Sequence, residues 1–399
     1  TFALHVLDLD RFNVVNDAYG HVFGDRVLKE VAVRLRSVMS DNDTVARLGG
    51  DEFALVQATV PSVAAASALA ARIAETVGQP FEIDGKRIEI SCRVGTALAP
   101  DHGSTRDEIM RATDLALLAA KSSGSASTRH YEVGMSEAVI RRRALEADLL
   151  RAVANGELEV HYQPILKLAE RRVSGFEALV RWRHPSRGLV SPGEFIPVAE
   201  EIGLIPEIGR IVMRMATAAA ATWPVHLKLA VNLSPVELGT DEVVRDIRRA
   251  LEKSGIEASR LELEITETAL LRSDDRTRAR LDALEEMGIG MSMDDFGTGY
   301  SSLGYLRRFA FDKIKIDRSF VAEIGRSADC RAIIETITVL AHRLRMITTA
   351  EGIETQEQLA ELVRLGCTEG QGYLFAKPMP ASEVAAYLAR ADSEVANAA

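Results

Sequence analysis

Eight short apolar runs punctuate the last two-thirds of this 399-residue chain, and helix-like stretches separate most of them. The runs fall at 158–162, 173–182, 227–233, 260–266, 290–294, 313–317, 346–349 and 368–373, with amphipathic stretches such as 210–222, 241–253, 276–287, 330–344 and 356–365 between them. Eight strands with intervening helices, over about 240 residues, predict a single (β/α)8 barrel. A doubly wound sheet is the rival, but it would not gather the ends of all its strands in one place. The runs also end on a consistent chemistry: Glu177, Asn232, Glu264, Asp294-Asp295, Lys315 and Glu351. In a barrel these ends converge on one rim, where barrel enzymes hold their reacting groups. Carboxylates, an amide and a lysine gathered there predict a magnesium-type site acting on a phosphate.

Strand periodicity sharpens the set. Residues two apart share a face, so Glu177, Leu179 and Arg181 point the same way, as do Lys315 and Asp317. Glu177 with Arg181 suits a site that binds a metal and a ligand phosphate, or else forms a buried ion pair. Asn232 precedes Leu-Ser-Pro and is either a ligand or a turn residue. Adjacent Asp294 and Asp295 repel unless cations or donors neutralise them, so one of them could bridge two metal ions. Lys315 either pairs with Asp317 along its strand or, beside two dications, has a lowered pKa and acts on a water. The small-residue loop 296–302 is an inert connection or a lid.

Composition sets the limits. The length allows two or three domains. The chain is 47% hydrophobic and 27% charged, an ordinary globular balance. A formal net charge of −10 argues against binding a nucleic-acid polymer or presenting a basic membrane surface. Cys92, Cys330 and Cys367 fit neither a zinc site nor a disulfide framework, which predicts reduced thiols and a cytoplasmic location. No apolar stretch is long enough to span a bilayer. The chain opens directly on a strand-like segment, Thr1-Phe2-Ala3-Leu4-His5-Val6, and is expected to be a piece of a longer protein, with any membrane contact made through a missing N-terminal region.

In order, Tyr162-Gln163-Pro164, Glu177-Ala178-Leu179-Val180-Arg181-Trp182, Asn232-Leu233-Ser234, Glu264-Ile265-Thr266-Glu267, Asp294-Asp295-Phe296-Gly297-Thr298-Gly299, Lys315-Ile316-Asp317, Glu351-Gly352-Ile353-Glu354 and Gln371-Gly372-Tyr373 resemble the EAL-domain family of cyclic di-GMP phosphodiesterases. The resemblance covers roughly residues 140–390. It implies a first metal held by Glu177, Asn232, Glu264 and Asp294, and a second by Asp294, Asp295 and Glu351. It further implies that Lys315 acts on the attacking water and that Glu267 anchors the loop after Asp295. Gln163, Leu179, Arg181, Asp317 and Gln371 would line the dinucleotide pocket. The implied cofactors are two Mg2+ or Mn2+ ions, and the implied product is linear pGpG.

Residues 1–131 alternate strand and helix signals and end in a Ser/Gly-rich stretch; a charged helix over 135–155 follows. Gly49-Gly50-Asp51-Glu52-Phe53 reads as a hairpin turn whose carboxylates, with Asp8 and Asp10, suit magnesium. With Asp8-Leu9-Asp10-Arg11-Phe12, Asn16-Asp17-Ala18-Tyr19-Gly20-His21 and Gly24-Asp25, the segment resembles the GGDEF family of diguanylate cyclases, an α+β cyclase-like palm domain. That implies magnesium at Asp8, Asp51 and the Leu9 carbonyl, guanine contacts from Asn16 and Asp25, Glu52 in catalysis and Lys121 on phosphate. Two departures stand out. Asn13 and Ser125 lie where the family carries Lys and Arg, and each lost charge-assisted phosphate contact removes about 1.5–3 kcal/mol. Ser40-Asp41-Asn42-Asp43 also lacks the Arg-x-x-Asp of the inhibitory product site, and the family's opening helix is missing.

The sequence therefore predicts a GGDEF domain at 1–131, a linker helix at 132–155 and an EAL barrel at 156–392. The expected activity is hydrolysis of cyclic di-GMP, with the GGDEF domain binding GTP as a regulator and the chain forming a homodimer. A bifunctional cyclase/phosphodiesterase is the alternative, and a non-catalytic cyclic di-GMP receptor is the third reading.

Overall fold

The structure, a computed structural model, describes residues 1–10, 12–122, 127–271, 275–297 and 309–398. The chain divides into two compact units, Thr1–Ala144 and Leu145–Ala399.

The first unit is built on five strands, β1 (Phe2–Leu9), β2 (Thr44–Gly49), β3 (Glu52–Gln57), β6 (Cys92–Ala99) and β7 (Thr128–His130), in the order β2-β3-β1-β6-β7. A separate small hairpin pairs β4 (Phe81–Ile83) with β5 (Lys86–Ile88). Helices cover both faces of the main sheet, so its strands alternate between two apolar layers. Leu7 and Leu9 join Val27, Val31, Leu35 and Ile73 from helices α2 (His21–Val38) and α3 (Val63–Gly78). Leu4 and Val6 face the other way and join Ile109, Ala112 and Leu117 from α4 (Arg106–Ser122). Asp8 therefore falls on the α4 face, at the strand's end. The stretch from Lys86 to Ala99 is divided between β5 and β6, with residues 89–91 outside both. A short helix, α1 (Phe12–Tyr19), precedes α2; its apolar residues are too few to give a periodic signal.

All eight predicted strands of the second unit are present and close into a barrel: β8 (Leu158–Lys167), β9 (Arg172–His184), β11 (Lys228–Asn232), β12 (Leu261–Thr266), β13 (Gly290–Phe296), β14 (Lys313–Ile316), β15 (Ile347–Ala350) and β16 (Glu369–Gly370). Two short strands, β10 (Gly188–Val190) and β17 (Met379–Pro380), append to it. One feature corrects the expected all-parallel arrangement: β8 runs antiparallel to both β9 and β16. Only residues 168–171 separate β8 from β9, too few for the helical crossover that a parallel pair requires. The other barrel strands pair in parallel.

The strands' alternation is turned inside out relative to a barrel with an apolar centre. On β12, Leu261, Leu263 and Ile265 pack outward into the helix layer, and on β14 Ile314 and Ile316 do the same. Glu262, Glu264, Lys313 and Lys315 are left to the barrel axis, where burial demands that each charge be paired. They are paired in two tiers. In the lower tier Lys313 Nζ lies 2.9 Å from Glu262 and 2.8 Å from Glu369, and Thr349 Oγ1 donates to Glu369 at 3.3 Å. The upper tier holds Lys315. The helix α5 (Met135–Asn155), expected as a linker, contributes Leu145, Leu149 and Ala152 to the core of this unit.

Candidate active site

Lys315 is 1% exposed and sits at the centre of the upper tier. Its Nζ lies 2.6 Å from Glu351, 2.7 Å from Glu264, 3.3 Å from Asp294 and 3.8 Å from Glu177. These four carboxylates come from or directly follow four different strands, so only barrel closure brings them together. Asp317 is not among these partners. It caps the helix at Arg318–Glu323 by accepting from Ser319 N at 3.0 Å, which disposes of the intrastrand salt bridge.

The amides knit the acids together. Asn232 Nδ2 donates to Glu177 at 2.8 Å, so Asn232 is part of the cluster and not merely a turn residue. Gln371 Nε2 donates to Glu177 at 2.6 Å and to Glu351 at 3.2 Å, a bridging role that spacing alone does not reveal. Gln163 lies directly opposite Glu177 across the β8–β9 hairpin and donates to the Ala376 carbonyl at 3.3 Å. Leu179 and Arg181 follow Glu177 on the same face, half-buried, with Arg181 Nη1 bonded to the Val180 carbonyl.

Asp294 and Asp295 are adjacent, and strict alternation would send one of them away from the axis. A register shift between Met293 and Phe296 prevents this, and Asp295 takes a left-handed backbone (φ 55°). Both carboxylates consequently feel the cluster. Burial, then Asp294 and Asp317, push the Asp295 carboxyl up. Burial and the Glu177 charge raise Glu264 well above the ordinary range, and Glu351 is pushed up to about 7 by burial. Burial opposes ionisation of Glu177 too, but Lys315 and the bonds from Gln371 and Asn232 hold it down. Burial alone would discharge Lys315; the four carboxylates overcome it and raise its pKa well above the ordinary value. The lowered value expected beside two dications is not what the protein groups produce by themselves.

Among the described residues no group of three or more His, Cys, Asp and Glu side chains is spaced to hold a metal ion, the acids having closed on Lys315 instead. The donor set nevertheless fits a hard divalent cation. Every donor is oxygen, and Glu264 Oε1 is buried without a hydrogen-bond partner. Five carboxylates face one ammonium, an excess of negative charge that divalent cations would balance. Glu267 is 4% exposed, with neither oxygen bonded among the described residues. The loop it was expected to anchor, from 298 onward, lies outside them.

In the first unit, β1 and β3 pair Asp8 with Glu52, and β1 and β6 pair Asp8 with Arg93. Lys121, in the last turn of α4, reaches Asp8 Oδ2 at 2.7 Å. Leu9 closes β1 with its side chain buried. Arg47 ties the hairpin turn by donating to the Gly50 carbonyl at 2.7 and 3.0 Å, which leaves Asp51 half-buried at its tip. Asn16 nests against Gly24, where any Cβ would stand 1.9 Å from Asn16 Oδ1, and Asp25 follows, exposed. Asn13 is exposed and accepts from Val14 N; Ser125 lies outside the described residues.

Residues 146–378 match the EAL domain family, and residues 1–127 match the diguanylate cyclase, GGDEF domain family. The chain belongs to the EAL domain family. It is similar to the bifunctional diguanylate cyclase/cyclic di-GMP phosphodiesterase MucR of Pseudomonas aeruginosa, with 41% identity over 97% of this chain and 57% of the relative. The cyclic di-GMP phosphodiesterase PdeR of Escherichia coli is 39% identical over 94% of this chain and 57% of its own length. The chain spans about half the length of the curated relatives it matches. Among solved structures, a PaMucR phosphodiesterase in complex with c-di-GMP aligns with a TM-score of 0.59 and 41% identity, over 60% of this chain and 99% of that one. The EAL enzyme Bd1971, bound to cAMP and cyclic-di-GMP, aligns with a TM-score of 0.61 and 27% identity, over 76% and 82%. For this EAL domain the likeness extends to both halves of the chain, because the MucR and PdeR alignments run through the GGDEF segment as well.

Proposed function

We propose that the barrel hydrolyses cyclic di-GMP to linear pGpG, and that the GGDEF domain binds GTP and regulates it. The observation that carries this is the upper tier: buried carboxylates on separate strands, clamped by Asn232 and Gln371, with one lysine at their centre. The printed names of MucR and PdeR and the bound ligand of the PaMucR structure support it.

Glu177, Asn232, Glu264 and Asp294 would hold one Mg2+ or Mn2+ ion, and Asp294, Asp295 and Glu351 a second. Bound there, the ions would polarise the phosphodiester and acidify the attacking water. The chain's own groups divide the remaining tasks. Gln371 fixes the direction of the Glu177 and Glu351 carboxylates. Lys315, at the centre of the cluster, would hold the attacking water in line with phosphorus. Arg181 takes the phosphate, Gln163, Leu179 and Asp317 position the dinucleotide, and Glu267 supports the loop beyond Asp295. The functional division follows the sequence reading, with residues 1–131 as GGDEF domain and 156–392 as barrel, and the working form is a homodimer.

A bifunctional reading is favoured by one observation: Asp8 and Glu52 lie directly opposite each other on β1 and β3, beside the Gly49–Glu52 turn. Incubation with cyclic di-GMP and magnesium, with and without GTP, decides among these. Formation of pGpG that Glu177→Ala abolishes supports hydrolysis, and stimulation by GTP that Asp51→Ala removes supports regulation. Absence of product under every condition would leave a receptor, and efficient cyclic di-GMP synthesis from GTP would establish the bifunctional reading.

A further inference from the structure

The row Glu52–Asp8–Arg93 crosses three adjacent strands and carries a cation that the cyclase motifs do not account for. Cross-strand partners share a sheet face, so Arg93 lies with Asp8 on the side covered by α4. Its Nε stands 3.3 and 3.4 Å from the two oxygens of Asp10, and its Nη1 3.5 Å from the carbonyl of Ala120, the residue before Lys121. Asp10 is itself fixed by Ser91 Oγ at 2.6 Å. The guanidinium is thus held from two sides on the strand position directly opposite Asp8, the partner of Lys121, and its side chain remains 24% exposed and open to a ligand.

A triphosphate brings several negative charges to one place. With Asn13 where a lysine is expected, the motif leaves Lys121, among the described residues, as the cation for it. Arg93 adds a second positive charge at the same sheet end, in the planar form that suits phosphate oxygens. Its carboxylate partner plays the part that orients an anion-binding arginine. We propose that Arg93 binds the terminal phosphates of a guanine nucleoside triphosphate at this row, taking over the charge missing at Asn13. The proposal rests on the reading of this domain as a GTP-binding module.

Calorimetric titration of the full chain with GTP and with GMP, both in magnesium, tests it. Arg93→Ala is expected to weaken GTP binding by about tenfold or more while GMP affinity stays within about twofold, since GMP lacks the phosphates concerned. Arg93→Lys is expected to keep most of the GTP affinity. An unchanged GTP affinity in Arg93→Ala overturns the proposal, and so does an equal loss for GTP and GMP, which would mean that Arg93 merely holds Asp10. Should Arg93→Ala fail to fold, Arg93→Gln retains a donor for Asp10 without the charge and carries the same comparison. A wild-type chain that binds no GTP removes the regulatory reading together with this one. A wild-type chain that binds GTP as Arg93→Ala does removes this one alone.

Discussion

Lys313 and Lys315 are two residues apart and both buried, yet their surroundings ask different things of them. Lys313 neutralises Glu262 and Glu369 at short range in the tier below the site, so its role is to keep two buried acids tolerable. Removing one partner of such a group leaves an uncompensated charge. Lys313→Met should therefore cost about 3–5 kcal/mol in urea unfolding, and replacing all three side chains by apolar ones of similar volume should recover most of it. A cost below about 1 kcal/mol in Lys313→Met would count against the buried triad. Glu237, half-buried, is another acid with a measurable signature. It completes a capping box, accepting from Ser234 N at 3.1 Å, yet burial pushes its carboxyl up to about 7 despite the bonds from Ser234. A carboxyl raised in the folded state binds its proton more tightly there than in the unfolded chain. Its stability contribution is thus full below the unfolded value of 4.5 and is lost as pH rises through about 7. Glu237→Gln keeps the cap and removes the titration. It should match wild type near pH 4 and exceed it by about 2–3 kcal/mol at pH 8, because each tenfold difference in proton affinity is worth about 1.4 kcal/mol. Parallel urea curves at both pH values would expose an error here.

At the scale of elements, the parts of the sequence that alternate strictly are the readable ones. Leu-Glu-Leu-Glu-Ile on β12 and Lys-Ile-Lys-Ile on β14 announce which side chains face the axis, and the structure puts Glu264 and Lys315 2.7 Å apart on that basis. The bulge at Asp294-Asp295 is not readable, because it exists only in the pairing of β13 with β14. The reversed direction of β8 does leave a trace in the chain: Leu168-Ala169-Glu170-Arg171 is too short for a helix. Short helices such as Pro192–Glu201, with two prolines, and Arg318–Glu323 have too few residues for a periodic signal. The turn that carries Gln371 is legible only as a motif, and its physical constraint is the next residue. A Cβ on Gly372 would stand 2.1 Å from the Ile353 carbonyl, and Ile353 N is bonded in turn to the Gln371 carbonyl. Gly372→Ala should push this segment off its neighbour, with a stability loss of about 1–3 kcal/mol and a fall in hydrolysis larger than that loss explains. Wild-type turnover in Gly372→Ala would show that Gln371 does not depend on this packing.

On the scale of the whole molecule, no helix among the described residues is long and apolar enough to cross a membrane. The barrel mouth gathers an excess of acid over base where cations are expected to bind. If that is its purpose, magnesium or manganese should raise the unfolding midpoint, because a ligand that binds only the folded state stabilises it by mass action. The shift should reverse with chelator and shrink strongly in Glu264→Gln; an equal shift in the variant would place the ions elsewhere. The charge pattern of the helix at 135–155 suggests a linker, but Leu145, Leu149 and Ala152 bury against the barrel, a fact that only the tertiary fold could supply. The antiparallel β8 gives that helix an unusual position. In an all-parallel barrel the chain would come in at the end opposite the chemistry. Here β8 starts at the end where its seven neighbours finish, and Leu158 pairs with Trp182, five residues beyond Glu177. The incoming chain therefore joins the barrel at the rim that carries the acidic cluster, so a twist or pull on that helix should be felt first by the strand that carries Gln163 and only afterwards by the barrel floor.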